Sequence, residues 1–103
     1  EHLLLAAVAN CLSASLLFAL RKFKQNADAI KTTMSCTVGR NEDKRMRVTH
    51  INATLNLGKE ANQFENLERI LAQFEDFCTV SQSVQAGIPI TIRVEDSTGA
   101  VLK

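Results

Sequence analysis

Cys11 and Cys78 are the residues of this chain whose type and setting could carry chemistry. Cys11 stands midway along the apolar run from Leu3 to Leu20, and Cys78 closes a second helical pattern in Phe77-Cys78-Thr79-Val80-Ser81. A thiol acts as a nucleophile through its thiolate. If the fold brought the two together, a substrate could oxidise one of them and the pair could then close into a disulfide. Separation in the sequence does not establish such a contact, and two distant cysteines serving only as packing residues are the alternative. Burial against Leu4, Val8 and Phe18 would raise the pKa of Cys11, so a working thiolate there calls for a compensating cation. Arg21 cannot serve within its own chain, because ten residues of helix carry it about 15 Å along the axis. Cys36 lies mid-strand on a core-like face and reads as structural.

The remaining composition narrows the function classes. His2 and His50 are isolated and no ligand pair has useful spacing, so neither a metal nor a cofactor is expected. A net charge of +1 and a pI near 8.0 lack the basic excess of a phosphate-backbone binder, which argues against a nucleic-acid partner. Lys44-Arg45-Met46-Arg47 reads as a solvated turn and strand start. Three cysteines without a C-x-x-C pair suit a reducing cytosol better than a secreted disulfide framework. In that compartment the sequon Asn52-Ala53-Thr54 carries no weight. At 103 residues the chain is one domain, 1–103.

The elements that must position the thiols follow from periodicity. His2 to about Lys24 reads as a helix that is apolar almost all round, with Arg21, Lys22 and Lys24 at its C-terminal end. Leu3–Leu20 is just long enough to cross a membrane, but Asn10, Ser13 and Ser15 in its middle favour a buried helix of a soluble, cytoplasmic protein, with no membrane partner. Leu4, Ala7, Val8, Cys11, Ala14, Ser15 and Phe18 share one stripe whose small side chains invite close approach. Strands are expected at about 30–38 and 46–57, joined as a hairpin through 39–44. Asn62–Cys78 carries Phe64, Leu67, Leu71, Phe74 and Cys78 at amphipathic helical spacing. Thr79-Val80-Ser81-Gln82 has the form of a capping box and opens a short helix ending at Gly87. The last strand is expected at Ile88–Glu95, with Pro89 marking an edge or an entry kink. Three strands cannot cover both helices, so a symmetric dimer is expected, together with an N-terminal part preceding Glu1.

Glu1-His2-Leu3-Leu4-Leu5-Ala6-Ala7-Val8-Ala9-Asn10-Cys11 resembles the central-helix motif of the OsmC/Ohr family. Phe77-Cys78-Thr79-Val80-Ser81 with Ala86-Gly87-Ile88-Pro89-Ile90 resembles that family's second-cysteine motif and the strand after it. The resemblance implies an α+β, OsmC-like fold, with a long central helix and a second helix packed on an antiparallel sheet, assembled as an intertwined homodimer. It implies thiol-dependent reduction of organic hydroperoxides or hydrogen peroxide in stress defence. Cys11 would be peroxidatic, Cys78 resolving, and Glu1 would orient an activating arginine from strands before residue 1. The partners implied are a small-molecule peroxide and an external thiol reductant, a dithiol or a lipoylated protein. Thr79 departs from the family pattern, where many members have proline, and suggests a broad OsmC-like branch. Two plainer readings stand beside these: Glu1 as a helix-terminus acid, and the whole as a non-catalytic protein of this fold that binds a small hydrophobic ligand or senses redox state.

Overall fold

Leucine and alanine, both strong helix formers, fill the first helix, α1, His2–Lys22, and Arg21 and Lys22 sit in its last turn. The computed structural model describes residues 2–25, 30–60, 62 and 64–102. Helix α1 ends in a Schellman motif with lysine where glycine is usual. Lys24 takes φ 58°, its N–H donates to the Arg21 carbonyl at 3.0 Å, and Gln25 N–H donates to Leu20 at 2.8 Å.

The hairpin follows as β1, Lys31–Arg40, and β2, Met46–Asn56. Its loop is shaped by Asn41, whose Oδ1 accepts from the N–H groups of Asp43 and Arg45 at 3.0 and 2.9 Å. Antiparallel pairing sets Thr32 opposite Leu55, Met34 opposite Ala53 and Cys36 opposite Ile51. A bulge between Thr37 and Val38 then shifts the register, so that Val38 meets Val48.

Between β2 and the last strand the chain runs through short helical segments. Helix α2 is Leu67–Gln73, a 3-10 turn takes Phe74–Phe77, and α3 is Thr79–Gln85. The single helix expected over 62–78 is therefore shorter and broken. Asn66 adopts a left-handed φ of 58° just before Leu67, a conformation asparagine tolerates better than most residues. The capping box is also corrected: the N-cap of α3 is Cys78, in an extended conformation, and Ser81 Oγ donates back to the Cys78 carbonyl at 3.3 Å.

Strand β3, Ile90–Glu95, lies on the free side of β2, in the order β1-β2-β3. It pairs parallel to β2, with Ile51 beside Ile90, Ala53 beside Ile92 and Leu55 beside Val94. The sheet is thus mixed rather than wholly antiparallel, because the helical crossover returns the chain to the end from which β2 started. Its outer face carries Thr33, Ser35, Thr37, Asn52, Thr91 and Arg93, all exposed.

The core lies between the inner sheet face and the helices. Val8, Leu12, Leu16, Ala19 and Leu20 of α1 pack with Ala53, Leu55, Val94, Ile70, Leu71 and Phe74. Full burial of each large aliphatic side chain contributes roughly 1.5–3 kcal/mol. The stripe expected on α1 is only partly inward: Val8 and Ser15 are buried and Cys11 half-buried, while Ala7, Ala14 and Phe18 face outward. One layer of sheet and helices covers about half of a helix circumference, leaving an apolar strip with Leu3 88% and Phe18 60% exposed. By length and composition α1, of mean hydropathy 2.2, could cross a membrane, yet its inner face forms this chain's core.

Candidate active site

At about 100° per residue, Cys11, Phe18 and Lys22 line up along one edge of α1, between its buried and its exposed apolar faces. Cys11 is held there half-buried. Opposite stands the joint between the 3-10 turn and α3, where Cys78 is wholly buried. The joint is fixed on both sides: Cys78 N–H donates to the Glu75 carbonyl at 3.1 Å, and the Cys78 carbonyl accepts from Gln82 N–H at 3.0 Å. Gln82 Nε2 also reaches back to the Glu75 carbonyl at 3.1 Å.

The structure brings Cys11 and Cys78 close enough for each thiol to shift the ionisation of the other. Burial is the largest influence on Cys11 and pushes its pKa up, but four donors outweigh it: the Cys78 thiol, the backbone N–H of Val80, the Ser15 hydroxyl and the backbone N–H of Ser81. The net result is a Cys11 thiol below its ordinary value of 9.0. Cys78 moves the other way, above 9.0, first because it is buried and then because its proton is engaged with Cys11. The pair is thus polarised, with Cys11 inclined to the thiolate and Cys78 to the thiol.

The expectation that burial leaves Cys11 in need of a cation is therefore incomplete. Two backbone N–H groups in the first turn of α3 and a hydroxyl one turn along α1 supply what burial removes. Of these donors the sequence offered one signal, Ser15 at four residues from Cys11, and no residue-type signal for the main-chain groups. Glu1 lies outside the described residues. Cys36 is half-buried on the inner face of β1 opposite Ile51. His50 sits on the sheet, its Nε2 2.7 Å from Thr91 Oγ1.

Beside the thiols is an aromatic step. Phe18 and Phe77 meet edge-on with ring centroids 6.5 Å apart, and the Lys22 ammonium lies 5.9 Å from the Phe77 centroid. Phe77 is 53% exposed, so this aromatic pair is open to solvent.

Comparison with known proteins places this geometry in context. The family profile described as OsmC, OsmC-like protein, matches residues 1–93. No curated protein sequence matches the chain. Among solved structures, an organic hydroperoxide resistance protein OsmC from Legionella pneumophila superposes with a TM-score of 0.73 at 16% identity, over 91% of this chain and 66% of that one. The organic hydroperoxide resistance protein OhrB of Bacillus subtilis gives 0.75 at 14% identity, over 92% and 68%. An organic hydroperoxide resistance protein from Elizabethkingia anophelis with thiocyanate bound gives 0.70 at 15% identity, over 94% and 67%. The present chain spans about two thirds of the length of these proteins, and at such identities the likeness establishes the fold.

Proposed function

The chain belongs to the OsmC-like protein family, and on that premise we propose that it is a thiol-dependent peroxidase that reduces organic hydroperoxides or hydrogen peroxide. The observation that carries the reading is the juxtaposition of a half-buried Cys11 on α1 with a wholly buried Cys78 at the joint before α3, their thiols shifted in opposite directions. In this mechanism the Cys11 thiolate attacks one peroxide oxygen, the O–O bond breaks, and an alcohol or water leaves. Cys11 is left as a sulfenic acid. Cys78 attacks that sulfur, expels hydroxide and closes the disulfide, which an external dithiol or lipoylated protein reduces.

The exposed apolar strip of α1 supports a homodimer, in which a second copy covers Leu3, Ala7 and Ala14. Cys11 lies at the edge of that strip, so the site would border the subunit interface. Glu1 is assigned to orienting an activating arginine at the site built on the second copy's Cys11. The cytoplasm, where a reduced thiol pair persists, is the compartment that suits this chemistry.

The test is consumption of cumene hydroperoxide and hydrogen peroxide by the full-length protein with dithiothreitol or a lipoylated donor. Cys11→Ser is expected to abolish turnover. Cys78→Ser should leave a single burst and allow the Cys11 sulfenic acid to be trapped by dimedone. Absence of peroxide consumption in the fully reduced wild-type protein would favour a non-catalytic member of the fold.

A further inference from the structure

Resting on the peroxidase reading, we infer that the external reductant enters at the sulfur of Cys11, and that Cys78, the resolving thiol, is never the site of the mixed disulfide. Thiol–disulfide exchange proceeds through in-line attack, with the incoming sulfur opposite the leaving one, and its rate depends on access to the sulfur attacked. Cys78 is wholly buried while Cys11 is half-buried. Cys11 presents a partly open sulfur to an incoming thiolate. The sulfur of Cys78 is closed over where the 3-10 turn meets α3. That joint does not swing out freely, because Cys78 is held through its N–H to Glu75 and through its carbonyl to Gln82 and Ser81.

Leaving-group chemistry alone points the other way at this step. The thiol of lower pKa leaves faster, and that thiol is Cys11, which would direct attack to Cys78. Burial overrides that preference, since the buried sulfur offers no trajectory. The same asymmetry then helps the second step. The first thiolate of a dithiol bonds to Cys11, the Cys11–Cys78 bond breaks, and Cys78 leaves as a thiolate that takes up a proton. The second thiolate attacks the reductant's own sulfur, closes its disulfide and expels Cys11 as a thiolate. Two electrons pass from the dithiol to the protein, and both cysteines return to the protonation states that their hydrogen bonds favour.

The test uses the full-length protein, oxidised with one equivalent of peroxide and then exposed to limiting 2-mercaptoethanol, which is small and cannot cyclise. Freed thiols are blocked with iodoacetamide and peptides are mapped without reduction. The expected product carries 2-mercaptoethanol on Cys11 and the acetamide on Cys78, in a ratio of at least ~10 to 1. A predominant adduct on Cys78 overturns the inference and leaves the peroxidase reading intact. If oxidation forms no Cys11–Cys78 disulfide, both fall. A second arm compares variants that keep one thiol of the pair in a Cys36→Ser background: a disulfide with 2-mercaptoethanol at Cys11 in Cys78→Ser should be reduced by dithiothreitol at least ~10-fold faster than one at Cys78 in Cys11→Ser, formed after brief denaturation and refolding. Equal rates would overturn the proposal.

Discussion

Replacing Ser15 by alanine isolates one of the donors that keep Cys11 acidic. The Ser15 hydroxyl is buried and donates to Cys11. A hydrogen bond to a charged group contributes roughly 1.5–3 kcal/mol, and one pKa unit corresponds to about 1.4 kcal/mol. Ser15 is one of several donors that lower the Cys11 pKa, so the lower end of that range applies and the Cys11 midpoint should rise. Well below the midpoint the thiolate fraction then falls. Intrinsic nucleophilicity rises with a Brønsted slope of about 0.4–0.5, which restores about half of that loss on a logarithmic scale and leaves a net slowing. The assay is the pH dependence of iodoacetamide labelling of the Cys11 peptide, quantified by mass spectrometry beside circular dichroism spectra of both proteins. The wild-type midpoint should lie below 9.0 and that of Ser15→Ala above the wild type. Folding is expected to be little affected, since alanine is the better helix former. Coincident labelling curves in two equally folded proteins would refute the claim that the Ser15 hydroxyl contributes to the acidity of Cys11.

Other outcomes follow from the packing. Ala14→Glu places a charge on the exposed strip of α1 and should convert the full-length protein from dimer to monomer or aggregate in sedimentation velocity; an unchanged dimer would relocate the interface. Leu12→Ala removes a wholly buried side chain at the centre of α1 and should cost about 2–5 kcal/mol in urea unfolding. Asp96→Ala should cost about 1–3 kcal/mol in the same assay, because the buried Asp96 carboxylate accepts from Thr98 N–H, Thr98 Oγ1 and Ala100 N–H at 2.9, 2.6 and 3.0 Å.

How much of this was legible in the sequence differs from element to element. The alternation of Ile51, Ala53, Leu55 and Leu57 identified the buried face of β2, because a two-residue period leaves no choice of side once one face is apolar. The direction of β3 was not legible, since Ile90, Ile92 and Val94 alternate identically in parallel and antiparallel pairing. What decides is the length and route of the crossover. Likewise Phe64, Leu67, Leu71 and Phe74 keep helical spacing across a segment in which only Leu67–Gln73 is α-helical. Spacing reports which residues face the core, and Phe64 does so from outside the helix. The cysteines were legible as candidates, but their opposite polarisation was not, because it depends on main-chain N–H groups at Val80 and Ser81 whose direction only the fold fixes.

That polarisation bears on the division of labour. Two thiols that shift each other's ionisation share one proton's worth of advantage, and whichever is better solvated and better supplied with donors becomes the anion. Cys11 has both advantages, since it is half-open and faces the first turn of α3, while Cys78 is closed over by the joint that it caps. An attacking group must meet its substrate and a resolving group need only meet its neighbour. The exposed member of the pair is therefore the one suited to attack and the buried member the one suited to resolve. Exchanging the roles would require opening the 3-10 turn at Phe74–Phe77 and with it the hydrogen bonds of Cys78 and Gln82 to Glu75. At about 0.5–1.5 kcal/mol net for each such bond, on top of exposing Phe74 from the core, the assignment of Cys11 as nucleophile rests on the packing of the joint as much as on the acidity of the thiol.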